Sequence, residues 1–329
     1  MPAQFALRTV PMVLIALCAL LLHGSPVLLA GPGGEPEQSL PAPRAAHSLM
    51  LAGMSVGGLT VAVGERGHVL LSDDDGLSWN QTIVPTRATL TGVFFLNDSL
   101  GWAVGHDAVI LKTTDGGRAW ERVYQAPEEE RPLLAVWFRD ARNGFAIGAY
   151  GYFLVTADGG TSWTERQVSD RDDFHLNHIA SSDTGRLYIA AEAGTIYRSD
   201  DGGEHWRSLP SPYRGSFFAT LPLKGDSLLA MGLRGHLFRS EDAGETWEEV
   251  ETGTHAMLTD GLRLQDGSIL ITGLAGNLLI SRDGGHAFSL IQRSDRQAVA
   301  TAVQANATTL ILIGEFGLKQ LPTSELASP

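Results

Sequence analysis

Six aspartates recur in one short context, and each is a candidate acid. They stand in "LSDDDGLSW" (71–79), "KTTDGGRAW" (112–120), "VTADGGTSW" (155–163), "RSDDGGEHW" (198–206), "RSEDAGETW" (239–247) and "ISRDGGHAF" (280–288). Two chemistries deserve weighing. Glycoside hydrolysis generally takes two carboxylates facing each other across a pocket. Calcium binding in an EF-hand takes acids at alternate loop positions and a distal Glu. Spacing disfavours calcium, because Leu71 occupies the place of the first ligating acid. Nothing in the sequence pairs two of the acids for hydrolysis.

The elements that position these acids are repeats. The boxes end at residues 79, 120, 163, 206, 247 and 288, with spacings of 41, 43, 43, 41 and 41. A Gly-x-x-Gly step runs in phase, fifteen residues before each box end: "GERG" (64–67), "GAYG" (148–151), "GLRG" (232–235) and "GLAG" (273–276). "GHDA" (105–108) and "AEAG" (191–194) are degenerate copies, and a seventh, "GEFG" (314–317), has no box behind it. Within 88–125, "TLTGVFFL", "LGWAVG", "VILKT" and "AWERVYQ" read as four strands separated by turns. Seven such units between residues 49 and 322 predict an all-β, seven-bladed β-propeller of four-stranded antiparallel blades.

In that architecture the box is a turn between the third and fourth strands. Glycine supplies its unusual backbone angles, the Asp side chain bonds backbone N–H groups, and the Trp packs on the blade. Asp74, Asp115, Asp158, Asp201, Asp242 and Asp283, with Trp79, Trp120, Trp163, Trp206 and Trp247, are therefore expected to be structural. One turn per blade around a ring cannot converge on one substrate.

Strand alternation places box turns on one rim, and glycine steps with inter-blade linkers on the other. The steps hold Glu65, Arg66, His106, Asp107, Tyr150, Glu192, Arg234 and Phe316, diverse residues between repeating flanks. As a set they are the candidate partner surface, and Arg131 and Arg214 on the linkers are expected to join Arg66 and Arg234 in a positive patch suited to carboxylates and carbonyls. His175 and His178, near Asp172 and Asp173, have a conceivable metal-binding spacing, but an ordinary loop leading into a strand is the preferred reading. No cofactor and no metal are expected.

The chain has 329 residues, 43% hydrophobic and 19% charged, with a net charge of −13. This suits a packed core and disfavours general nucleic-acid binding, which needs a cationic footprint. Residues 1–30 read as a signal peptide: Arg8, the apolar run "PMVLIALCALLL", then Leu28 and Ala30 before the cut. The run is short for a membrane span, and Leu17 before Cys18 argues against a lipid anchor. Cleavage removes the one cysteine and leaves a charge of −14, since the segment holds one Arg and no acid. Residues 31–48 form an N-terminal segment, of which 34–45 is proposed as the missing outer strand of the seventh blade, against the alternative of a disordered linker. Residues 323–329 are a tail.

The boxes resemble the Asp-box, or BNR, repeat S/T-x-D-x-G-x-x-W. Whole units such as "GVFFLNDSLGWAVGHDAVILKTTDGGRAW" resemble the photosystem II stability and assembly factor family, through the "GWAVG" strand and the glycine step followed by "TTDGG". That resemblance covers nearly all of 49–322. It implies a seven-bladed propeller exported to the periplasm or a lumen, acting without catalysis in assembling a membrane protein complex through a protein partner. Units four to seven lack the Gly-Trp start, and the photosystem itself is not implied. Asp-box repeats also occur in sialidases, but the Arg-Ile-Pro element is absent; "ERPLL" at 130–134 is the nearest fragment, in the wrong unit. A glycan-binding propeller with an aromatic-lined pocket is the third reading.

Overall fold

The computed structural model describes residues 37–327. The expected signal peptide lies outside the described residues. Seven antiparallel sheets follow one another along the chain, six of four strands and the last of three. Their first strands, from Met50–Val56 through Val299–Asn306, line the ring, and the last packs against the first. The chain is a seven-bladed β-propeller.

Each second strand explains one of the continuous apolar runs. Gly101–Gly105, Gly144–Gly148, Leu187–Ala191, Leu228–Gly232 and Ile269–Gly273 are buried along their whole length. Both faces of such a strand are covered by neighbouring blades, so alternation gives way to unbroken hydrophobicity. Fourth strands are short and largely exposed, as in Thr164–Arg166 and Arg207–Ser208. Trp102 in "GWAVG" is fully buried and stacks on Phe138 of the third blade, ring centroids 3.4 Å apart and 7° from parallel. The other six units fill the position with Val61, Phe145, Tyr188, Leu229, Leu270 and Ile311, all buried.

Around the channel, alternate blades are stitched by one polar side chain at the second position of the inner strand. Thr91 donates to the Leu133 carbonyl at 2.6 Å, Asn177 to Phe217 at 2.7 Å and Thr259 to Val299 at 2.8 Å. Each carbonyl belongs to the inner strand of the next blade. Thr91→Val keeps the shape and removes one such bond, so it is expected to cost about 1 kcal/mol in chemical denaturation. A cost near zero would mean that water serves that carbonyl equally well.

The seventh sheet ends with Gly317–Pro322, and no described residue pairs with its outer edge as a strand. The expectation of a fourth strand from 34–45 is therefore corrected for residues 37–45, while 34–36 lie outside the described residues. Pro41 and Pro43 offer no N–H to a ladder, and the segment instead runs along the first blade. Ser39 N–H donates to Val84 O at 2.8 Å and Val84 N–H to Ser39 Oγ at 2.9 Å. Gln81 holds both the Ala42 N–H and the Leu40 carbonyl. Ala45 then buries itself among Met50, Leu70, Ile311 and Ile313 of the first and seventh blades. At the other end, 323–327 is a 3-10 turn whose Leu326 is buried.

Candidate partner-binding rim

The box turns share one geometry. In the first, the Ser72 hydroxyl donates to Asp74 Oδ1 at 2.8 Å while accepting the Gly76 N–H, and Asp74 accepts the Ser78 N–H and hydroxyl at 2.9 and 2.6 Å. Thr113–Asp115, Thr156–Asp158, Ser199–Asp201, Ser240–Asp242 and Ser281–Asp283 repeat the first bond. Two successive left-handed residues follow each Asp, and the second is always glycine: 76, 117, 160, 203, 244 and 285. Donated hydrogen bonds hold all six carboxyls below their ordinary range. Asp74 and Asp158 lie at about 2, chiefly through the Ser78 and Ser162 hydroxyls. Asp115, Asp201 and Asp283 are lowered first by the backbone N–H of Ala119, His205 and Ala287, and Asp242 by the Thr246 hydroxyl. Each carboxylate is thus engaged by its own turn.

The boxes also join the blades, which sequence did not reveal. Thr82 donates to Gly117 O, Trp102 Nε1 to Gly159 O, Arg166 to Glu204 O, Arg198 to Ala243 O and Arg239 to Gly284 O. Every donor sits one blade before its acceptor. Where the seventh blade has no box, Arg282 takes the Leu326 carbonyl at 2.6 Å; Gln320 then closes the ring on Asp75 O at 2.8 Å.

The opposite rim carries the glycine steps. Backbone bonds from step to linker, such as Ala126 N–H to Asp107 O and Arg293 N–H to Gly276 O, place both there. The third residue of six steps is left-handed: Arg66, Asp107, Tyr150, Ala193, Arg234 and Ala275, with φ between 54° and 57°. The first five are exposed. The fourth position is tight. A Cβ on Gly194 would lie 1.9 Å from the Tyr213 carbonyl, so the step holds the next linker close while turning its third side chain outward.

The sequence-predicted residues do not form one patch. Arg214 and Arg234 flank Tyr213, whose hydroxyl donates to Leu233 O and whose titration is raised by burial and opposed by Arg234. Arg66 is exposed on the first blade, separated from them by blades six and seven. Among the described residues, none of these three arginines makes an ion pair. Arg131 departs from the expectation of a free positive patch: it binds Glu129 at 2.6 Å and Glu165 at 2.8 Å, and lies 3.9 Å over the Tyr152 ring. Phe316 is half-buried beneath Arg293, 4.3 Å away. Glu65 is half-buried beside His68. Burial lowers the pKa of His106 despite its exposed neighbour Asp107.

His175 and His178 engage different elements. His175 Nδ1 and its backbone N–H both meet Glu192 Oε2 at 3.0 Å, and its ring lies 4.7 Å from Tyr150. His178 accepts the Thr220 N–H of the next blade at 3.5 Å. Burial lowers its pKa and Asp260 opposes that; Asp260 in turn accepts the Thr301 hydroxyl at 2.6 Å. Sequence reasoning missed this inner-strand set, because its members are 40 or more residues apart.

The sequence profile of a family described as "Photosynthesis system II assembly factor YCF48" matches residues 71–220 and 124–287. "Photosystem II assembly lipoprotein Ycf48" of Prochlorococcus marinus is 40% identical over 129 residues, 39% of this chain and 38% of the relative. "Photosystem II assembly protein Ycf48" of a Synechococcus strain is 38% identical over 160 residues, 48% of each chain. The chain thus spans about half the length of these relatives, or less. A solved structure described as "YCF48 bound to D1 peptide" superposes with a TM-score of 0.68 at 18% identity, covering 86% of this chain and 95% of that one. At that identity the likeness shows the fold alone.

Proposed function

The chain belongs to the photosynthesis system II assembly factor family, and from that premise we propose that it is a non-enzymatic scaffold holding a protein segment of a membrane complex during assembly. The observation that carries this reading is the division of charge between the rims. Box carboxylates are consumed by their own turns, whereas Arg66, Arg214 and Arg234 stand exposed and unpaired among the described residues of the glycine-step rim. Guanidiniums suit the carboxylates and carbonyls of an extended chain. Occupancy suffices as the mechanism: a rigid face that binds one conformation of a segment shifts its population toward that conformation. No covalent step is needed.

The relative solved with D1 peptide supplies a defined probe. A D1 peptide, titrated by fluorescence anisotropy, is expected to bind, and Arg214→Ala with Arg234→Ala to weaken it roughly tenfold or more without changing the unfolding midpoint. Adding Arg66→Ala tests whether the segment reaches the first blade. Undiminished binding by the double variant would remove this face from the proposal. The apolar run at 11–22 supports export, and a partner in the periplasm or a lumen belongs to that reading. Among the described residues no helix is long and apolar enough to cross a membrane. Detection of the mature N-terminus near residue 31 would check the cut.

A further inference from the structure

We propose that Tyr213 is a positioning residue for partner capture: it spans the fourth and fifth glycine steps and fixes Arg214 and Arg234 as one preorganised pair of cations. This rests on the reading of that rim as the partner face. The linker "SPYRGSFF" (211–218) places Tyr213 immediately before Arg214. On one side, the Tyr213 carbonyl packs against Gly194 of the fourth blade's step, where any Cβ would collide with it. On the other, its hydroxyl donates to Leu233 O of the fifth blade's step at 2.9 Å. The Leu233 carbonyl shares a peptide plane with the Arg234 N–H. The bond therefore orients the plane about which the left-handed Arg234, at φ 56°, turns.

This step differs from the others. Leu233 O already accepts the turn's own N–H, from His236 at 3.2 Å, and Tyr213 adds a second donor. The matching carbonyls of the other left-handed steps, those of Glu65, His106, Ala149, Glu192 and Leu274, accept only the turn's own N–H among the described residues. The Tyr213 ring is itself held in place. It packs on His236, Phe217 and Phe238, with centroids 4.8, 5.2 and 5.4 Å away. Gly215 leaves the space for it, since a Cβ there would strike the ring and its hydroxyl. A positive φ is unfavourable for arginine and persists where the surroundings hold it. The extra tie thus falls where step and linker each carry an exposed arginine without an ion pair. Two guanidiniums whose backbones are held at one spacing lose less freedom on taking a carboxylate or carbonyl of the partner.

Tyr213→Phe removes the hydroxyl and keeps the ring. In the free protein, amide relaxation is expected to show lower order parameters at Arg214 and Arg234, with Arg66, whose step lacks the tie, unchanged. In anisotropy titrations with the D1 peptide, Tyr213→Phe is expected to weaken binding roughly threefold. Trp102→Phe controls for lost stability, because it also removes a side-chain bond to a carbonyl, at a box turn on the opposite rim; its binding is expected to equal wild type. Tyr213→Phe added to Arg234→Ala is expected to weaken binding no further, since a spacing has no meaning once one member is gone. Unchanged order parameters, wild-type binding by Tyr213→Phe, an equal loss in Trp102→Phe, or a full further loss on the Arg234→Ala background would each overturn the positioning role. Failure of the wild-type protein to bind the peptide would instead overturn the partner reading, and the order parameters of the free protein would still decide whether Tyr213 fixes the two arginines.

Discussion

Trp102→Ala is expected to cost about 4 kcal/mol of folding stability, the largest effect of any single substitution predicted for this chain. Trp102 is fully buried. Its ring fills the space between the second and third blades against Phe138, and its N–H ties down the Gly159 carbonyl at 3.3 Å. Alanine leaves a cavity that neighbours on two rigid sheets cannot collapse into, and it orphans a carbonyl at the box turn. Trp102→Phe separates these two contributions. It keeps most of the ring contact and loses the N–H, so a cost of about 1 kcal/mol is expected from the bond, plus a smaller packing loss. Urea unfolding followed by fluorescence and by far-UV circular dichroism would measure both. If Trp102→Ala costs less than about 1 kcal/mol, the inner strands alone hold these blades together.

The same residue shows how far sequence reaches. The "GWAVG" run, the box and the glycine step are local signals, and local signals are what a periodic chain displays. They were enough for blade number, strand order and the assignment of the two rims. Pairings across the period were not legible. Nothing near Arg131 announces that Glu165, 34 residues on, will neutralise it, so a candidate for a free patch became a closed ion pair over Tyr152. Nothing in "RSDDGGEHW" shows that Arg198 will reach the box of the next blade, 45 residues later. The course of the N-terminal segment was not legible: a seventh unit one strand short calls for an outer strand, but Pro41 and Pro43 offer no N–H to a ladder. The left-handed third position of the glycine step was hidden too. Arg, Asp, Tyr and Ala occupy it, residues that do not advertise positive φ as glycine does.

The box carboxylates also give this fold an acid limit. An aspartate in an unfolded chain titrates near 3.9, and in the folded protein Asp74 and Asp158 lie at about 2. A depressed folded pKa means that the unfolded state binds protons first as pH falls. The stabilisation is complete above about pH 5 and is lost between roughly pH 4 and pH 2. These side chains are exposed, so the effect comes from hydrogen bonds donated to the charged form, with little from screened Coulomb attraction. Asp74→Asn with Asp158→Asn is therefore expected to be less stable than wild type at pH 7. The gap should shrink steadily below about pH 4 and close only below about pH 2, as the carboxyls of the folded wild type become protonated in turn. In that window the two stability curves should differ in slope by up to about two protons. Burial lowers the pKa of His68, His106 and His178, so their folded forms stay neutral longest and acidification below about pH 6.5 destabilises both proteins alike. That contribution cancels in the difference. A gap that stays constant from pH 7 to pH 2 would mean that the turn is held by its glycines and backbone, with the charge on the aspartate irrelevant to the fold.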